Sequence, residues 1–172
     1  GYCLLKRECR VVYSQLRSAY DSYVESYKSY ARSRGFGSSF NDWPYHRRGF
    51  IECWAEPGFH RFWQVWNPGI SYFVYRLFIR LGGRKKWVGP TMAAFLICGF
   101  AHTIVVLPYF GRWSFSLIET IACFGAITIV SRLFASVLQQ ERWPIVANIA
   151  LNIAFVAASF DIGFRVDKVL GF

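Results

Sequence analysis

A run of 23 residues without a charged side chain, Val88 to Phe110, constrains the fold of this chain more than any other feature. As a helix, with a rise of about 1.5 Å per residue, it is long enough to cross roughly 30 Å of hydrocarbon. Two later runs have a similar character: Trp113 to Ser131, interrupted only by Glu119, and Pro144 to Phe160, which is uncharged. The sequence therefore predicts an all-α membrane protein with about three transmembrane helices.

The charges outside these runs indicate the environment of the chain. Residues 1–87 carry 15 Lys and Arg against 6 Asp and Glu, whereas residues 88–172 carry 5 against 4. Basic residues beside apolar spans meet anionic lipid headgroups more often than nucleic acid, so the lipid bilayer is an expected partner and nucleic acid is not. We expect an integral protein of the bacterial cytoplasmic (inner) membrane.

The densest group of positive charges predicts the orientation. This basic cluster, Arg84, Lys85 and Lys86, directly precedes the first uncharged run. The positive-inside tendency places the cluster and the N-terminal segment in the cytoplasm. The turn at Gly111-Arg112 then lies outside, the loop at Gln139–Arg142 lies inside, and the last residues end outside.

Residues 1–58 are predicted to be an amphipathic and irregular N-terminal region, and residues 59–172 a membrane core. From Lys6 to Arg34, apolar and aromatic positions recur three and four apart, which is typical of one long amphipathic helix. Glycines and serines at 35–39 end it, and Phe40 to Trp54 is predicted to be irregular. Tyrosines on the apolar face suit a headgroup boundary, a protein partner or the chain's own core equally well. They are Tyr20, Tyr23, Tyr27 and Tyr30.

Two shorter helices are predicted at the start of the membrane core. Phe59 to Trp66 combines four large aromatic residues with a histidine and an arginine. Ile70 to Leu81 is too short to cross a bilayer, and its Arg76 and Arg80, four residues apart, share one face. An interfacial or half-buried helix fits this second segment, which Gly82-Gly83 ends.

His102 lies inside the first uncharged run. A histidine in the membrane costs free energy unless it pairs with another polar group or has a function. If the hairpin turns around Tyr109–Arg112, His102 and Glu119 both lie roughly 9 to 12 Å inside the same membrane face. Glu119 could orient the imidazole or share its proton. A purely structural hydrogen bond between two costly polar groups is the alternative, and depth alone favours it. Asn67, at the end of an aromatic segment, would offer its amide to His102 from the membrane surface.

Four segments with characteristic residues occur in order between Phe59 and His102. They are Phe62-Trp63-x-x-Trp66-Asn67-Pro68, Tyr75-Arg76-Leu77, Leu81-Gly82-Gly83 and Phe95-Leu96-x-Cys98-Gly99-Phe100-Ala101-His102. The order and spacing resemble the core of the membrane-bound O-acyltransferases (MBOAT), with their FWxxWH or FWxxWN segment, YxPLGG-like turn and helix bearing the catalytic histidine. The resemblance implies that His102 is catalytic, that Asn67 is its partner, and that acyl-CoA donates an acyl group to a hydroxyl or amine.

This resemblance completes a set of candidate site residues. His102, Asn67 and Glu119 form the candidate catalytic set, and no bound cofactor is expected beyond acyl-CoA as a co-substrate. The basic cluster is a candidate for binding the CoA phosphates, although a topology signal explains it more simply. No metal site is expected, because the cysteines at 3, 9, 53, 98 and 123 are odd in number and contain no CxxC pair.

The alternative function is a non-catalytic accessory subunit of a larger membrane complex, for example an energy-converting one, that retains an acyltransferase-like core. Small residues in the spans suit docking between helices. They are Gly99, Ala122, Gly125, Ala126, Ala147, Ala150 and Ala154. Asn148 and Asn152, four apart on one face of the third span, are expected to bond a neighbouring helix. Either their faces or the tyrosine stripe is expected to contact other membrane polypeptides.

Overall fold

The computed structural model describes residues 2–36, 43–110 and 115–170, and this part of the chain contains helices and no strand. The prediction of an all-α fold is confirmed. Two 3₁₀ turns, Glu52–Ala55 and Gln140–Arg142, lie between the α-helices. The α-helices are α1 Tyr2–Ser33, α2 Trp43–Phe50, α3 Phe59–Val65, α4 Pro68–Arg80, α5 Val88–Phe110, α6 Ser116–Leu133, α7 Ala135–Leu138 and α8 Ile145–Leu170.

Three of these helices are long and apolar enough to cross a membrane: α5, α6 and α8. The chain is therefore an integral membrane protein, and the predicted number of spans is confirmed. The third span, α8, continues past the predicted end at Phe160. Beyond that point Asp161 and Arg165, four residues apart on one helical face, form an ion pair of 2.7 Å. The predicted turn at Gly111-Arg112 lies outside the described residues.

The helix α6 lies between α5 and α8, and two glycines lie at close contacts between α5 and α6. A Cβ atom on Gly99 of α5 would lie 3.0 Å from the Cα of Ile118 on α6. A Cβ on Gly125 of α6 would lie 3.0 Å from the Cβ of Phe95 on α5. Without a hydrophobic driving force in lipid, such close backbone contact is a main source of helix association.

The short helix α3 packs into the core of the bundle. Its Phe59 is fully buried, with ring centroids 5.9 Å from Phe124 of α6 and 5.5 Å from Phe155 of α8. One turn later, the Trp63 ring lies 4.7 Å from Phe124 and 5.5 Å from Phe95 of α5. The aromatic segment therefore joins all three spans, while α4 packs against α5.

The chain divides into two compact units, Gly1–Tyr45 and His46–Phe172. In the first unit, the hydroxyl of Tyr27 is hydrogen-bonded to that of Tyr45, and burial is the main cause that raises the pKa of both phenols. Tyr30 is buried, whereas Tyr20 and Tyr23 are exposed. The predicted tyrosine stripe is therefore partly covered.

The segment before α3 differs from the sequence-based prediction. Carbonyl groups at Trp54 and Glu56 are bonded by Asn152 of α8, so this segment lies in the second compact unit. The prediction of irregular structure over Phe40–Trp54 is wrong, since α2 and a 3₁₀ turn occupy most of it. Pro44 stands in the first turn of α2, where a helix needs no backbone N–H.

Candidate functional site

His102 is held against its own helix by a hydrogen bond at one ring nitrogen. Its Nδ1 lies 2.8 Å from the carbonyl oxygen of Cys98, one turn earlier on α5. A carbonyl oxygen only accepts hydrogen bonds, so Nδ1 carries the proton and Nε2 presents a lone pair in the neutral ring. Among the described residues, Nε2 has no hydrogen-bond partner. The half-buried imidazole is therefore in the tautomer that a general base at Nε2 requires.

Glu119 lies near the level of His102 but does not bond to it. Because Gly99 lies against Ile118, His102 and Glu119 are offset along the helix axes by about 6 Å. The Oε2 atom of Glu119 is buried and has no hydrogen-bond partner. Within the described ranges, no hydrogen bond or ion pair joins the two side chains. The predicted direct contact is therefore absent from this part of the chain.

Asn67 caps a helix. It is the N-cap of α4 with a φ of 41°, and its side-chain oxygen accepts a hydrogen bond from the backbone N–H of Ile70 at 3.5 Å. Its own backbone N–H donates to the carbonyl of Gly49 at 3.1 Å. Asparagine tolerates this left-handed conformation and is favoured at N-caps. No hydrogen bond connects Asn67 to His102 in the part of the chain that the structure describes.

The basic cluster lies on the connection between α4 and α5, and all three of its side chains are exposed. His102 follows the start of α5 at Val88 by 14 residues, which corresponds to about 21 Å along the helix axis. The structure therefore separates the candidate phosphate-binding residues from the candidate base by most of one span.

The two asparagines of α8 bond to the chain itself. The Nδ2 of Asn152, which is fully buried, donates to the carbonyls of Trp54 at 2.9 Å and Glu56 at 3.0 Å. The Nδ2 of Asn148 donates to the carbonyl of Gln140 at 3.2 Å. The predicted neighbouring helix is in each case a 3₁₀ turn or the residue that directly follows it. Both amides are buried, and contact of these helix faces with another polypeptide stays a prediction.

A polar cluster that sequence reasoning missed lies where α3 meets the end of α6. The Nδ1 of His60 lies 3.1 Å from the hydroxyl oxygen of Ser131, and Arg61 forms an ion pair with Glu141. Burial, together with the positive charges of Arg61 and Arg132, lowers the pKa of His60. The sequence signal was weak, because His60 and Ser131 are 71 residues apart and neither belongs to a recognisable motif.

Beside this cluster lies a cavity of about 370 Å³ between α3 and the connection from α6 to α8. Its polar lining residues are His60, Arg61, Ser136, Gln139, Gln140, Glu141 and Arg142. Among the described residues, no three histidine, cysteine or acidic side chains lie close enough together to hold a metal ion.

No family model, curated protein or solved structure matches this chain. Its fold and membrane character therefore rest on the three apolar helices and their packing. The chain is an all-α integral membrane protein that carries a histidine in its first span and a polar cavity at one end of the bundle.

Proposed function

We propose that this protein is an MBOAT-like acyltransferase that transfers an acyl group from acyl-CoA to a hydroxyl or amine. The observation that carries the proposal is the hydrogen bond from His102 Nδ1 to the Cys98 carbonyl oxygen, 2.8 Å long. It leaves Nε2 as a proton acceptor in an apolar span, where a histidine without a role is disfavoured. The ordered motif resemblance from Phe59 to His102 supplies the reaction class.

In the proposed reaction, Nε2 of His102 takes the proton from the acceptor hydroxyl or amine. The acceptor oxygen or nitrogen attacks the thioester carbon, and the C–S bond breaks to release the CoA thiolate. The imidazolium then returns the proton to the thiolate, so that free CoA thiol leaves. The Glu119 carboxylate, on the facing helix, is proposed to favour the imidazolium through space, since opposite charges attract more strongly in an apolar medium than in water.

Asn67 acts in this proposal as a hydrogen-bond donor to the thioester and not as a partner of His102. Its side-chain oxygen caps α4, which leaves the Nδ2 hydrogens as donors for the thioester carbonyl. Donors positioned for a developing oxyanion contribute about 10²–10³-fold to rate. The Asn67 side-chain oxygen would then stabilise α4, and the Nδ2 hydrogens would take part in catalysis. A substitution that keeps the oxygen and removes the hydrogens can test the two roles separately.

The basic cluster binds the CoA phosphates in this proposal, on the cytoplasmic side of a bacterial inner membrane. Lysine and arginine both bind phosphate, and all three side chains are exposed to solvent. The distance of about 21 Å along α5 to His102 requires the thioester arm to extend into the bundle. The acceptor then meets the thioester deep within the span.

Release of free thiol from acyl-CoA by the purified chain in mild detergent is the direct test. We expect His102→Ala to lower kcat by about 10²–10⁴-fold, because the base acts in the transition state. The control is Ile104→Ala, a change at an exposed position of the same helix. A rate in His102→Ala equal to that of the control would refute the assignment.

Asn67→Asp separates the cap from the proposed donor. Aspartate keeps an oxygen for the Ile70 N–H and is also favoured at N-caps, but it lacks the amide hydrogens. We expect this variant to keep the helical content of the parent chain and to lose about 10²-fold in kcat. Full activity would assign Asn67 to the cap alone.

A non-catalytic accessory subunit of a larger membrane complex, for example an energy-converting one, is the second candidate. The observation that favours it is the exposure of α8, in which 17% of the apolar stretch is buried within the chain, compared with 50% for α6. Such a surface suits neighbouring helices as well as lipid. Native mass analysis after mild-detergent extraction separates the candidates, because a monodisperse 19.9 kDa species excludes a stable complex.

A further inference from the structure

We propose that the cavity between α3 and the α6–α8 connection binds a phosphate ester that also carries a hydrogen-bond donor, as in the headgroup of an aminophospholipid. This site is separate from His102 and does not depend on acyl transfer. Its volume of about 370 Å³ falls within the range of small-molecule sites. It lies where α6 ends at Leu133 and α8 begins at Ile145, which is the level at which two spans leave the membrane.

Arginine side chains supply the affinity for phosphate. Arg61 and Arg142 line the cavity, and guanidinium groups bind phosphate through paired hydrogen bonds. Arg61 is already paired with Glu141. Arg142 is exposed and forms no ion pair within the described part of the chain. Arg142 is therefore the side chain whose positive charge is available to an anion.

A third arginine adds to the positive potential beside the cavity. The guanidinium of Arg132 stacks on the Trp87 ring, 4.6 Å from its centroid. The charges of Arg132 and Arg61 both act on His60, which lines the cavity, and with burial they favour its neutral form. The site therefore attracts anions through its arginines, while His60 stays neutral beside them.

The same cavity also contains an acceptor for a donor group of the ligand. The Glu141 carboxylate lines the cavity and is exposed, and besides its ion pair with Arg61 it can accept further hydrogen bonds. A ligand that brings an ammonium or hydroxyl group beside its phosphate would donate to this carboxylate.

The surroundings favour a lipid over a soluble phosphate ester. Large apolar side chains are exposed within the connection and at the start of α8, as expected for residues that contact acyl chains. Trp143 is partly exposed among them, and tryptophan is enriched at the headgroup level. The apolar residues are Val137, Leu138, Ile145 and Val146.

The test measures lipid retained by the full chain in mild detergent, by native mass analysis. Phosphatidylethanolamine supplies phosphate and N–H donors, and phosphatidylcholine supplies phosphate alone. We expect phosphatidylethanolamine to be retained about tenfold more tightly, and Arg142→Gln to lower its retention about tenfold, because charge-assisted hydrogen bonds are lost in each case. The control is Arg80→Gln, an exposed arginine outside the cavity lining, which should leave retention unchanged.

Equal loss of lipid in Arg142→Gln and Arg80→Gln would overturn the site, because general charge attraction would then explain binding. Equal retention of the two lipids would overturn the donor requirement. Inorganic phosphate distinguishes the sources. If inorganic phosphate displaces the lipid from the parent chain but not from Arg142→Gln, the site recognises the phosphate group without acyl chains, and the assignment to a lipid is overturned in favour of a soluble phosphate ester. If inorganic phosphate fails to displace the lipid, the site is assigned to the lipid headgroup. Helical content measured by circular dichroism verifies that both variants fold.

Discussion

Gly163 of α8 lies so close to Thr120 of α6 that a side chain at Gly163 would overlap the threonine hydroxyl. The same Cβ would lie 2.7 Å from the carbonyl oxygen of Ser116. One of these obstacles is backbone, which cannot rotate away as a flexible side chain can. The absence of a side chain at Gly163 is therefore required for α6 and α8 to pack as they do.

We expect Gly163→Ala to destabilise the folded chain by about 1–3 kcal/mol, since the extra methyl group forces the helices apart. The matched control is Gly89→Ala on α5, where a Cβ would meet no atom within 4 Å. Alanine there should be neutral or slightly stabilising, because it favours helix. Thermal unfolding followed by circular dichroism measures both variants, and equal midpoints would contradict the close packing.

Asn152→Ala should be more destabilising than a surface change on the same helix. It removes the donor shared by the Trp54 and Glu56 carbonyls and leaves both without that bond, which costs about 2 kcal/mol or more. The neighbouring Ile153→Ala changes an exposed side chain and serves as the control. Unfolding in detergent should separate the variants clearly. A smaller loss in Asn152→Ala than in Ile153→Ala would show that the bonds to the 3₁₀ turn contribute little.

Stability should fall as the pH decreases through the titration of His60. Its folded-state pKa lies below the usual value of 6.5, so the unfolded chain binds a proton first. By linkage, the stabilisation is complete above about pH 6.5 and is lost as the pH falls towards the folded pKa. His60→Gln removes the titrating group, so it should lose this part of the pH dependence in unfolding measurements between pH 5 and 8. An unchanged profile would show that other groups cause it.

Single cysteines should label from alternate faces of the membrane along the chain. Gly111 lies outside the described residues, so Tyr109, which is 84% exposed, is the better probe at the far end of α5. With native cysteines replaced, Lys86→Cys should react from the cytoplasmic face, and Tyr109→Cys from the opposite face with an impermeant maleimide. Labelling of both from one face would rule out the predicted span.

The first span was predicted correctly at both ends, whereas the structure before it was not. Val88–Phe110 lacks charge over its whole length, and in lipid such a segment must satisfy its backbone groups within a helix. The helix α2 has no comparable signal, because its eight residues mix aromatic and basic side chains with Pro44 and Gly49. Its identity as a helix depends on tertiary context that outweighs local propensity.

The candidate site shows the same division. The sequence singled out His102, Glu119 and Asn67 because polar residues within or beside apolar runs are conspicuous. It did not indicate that Asn67 accepts from Ile70, or that His102 bonds Cys98 in place of a partner on another helix. Those choices depend on side-chain positions within the packed bundle, and the catalytic assignment itself remains a prediction.

By itself, the sequence determined the helical class, the number of spans and their approximate bounds, because an uncharged run of sufficient length can cross lipid only as a helix. Only the tertiary structure decided which polar groups meet. Asn152 bonds Trp54 across 98 residues, and His60 contacts Ser131 across 71. Both contacts exist because α3 inserts its aromatic face among α5, α6 and α8, and that arrangement arises from packing between distant segments that no local pattern encodes.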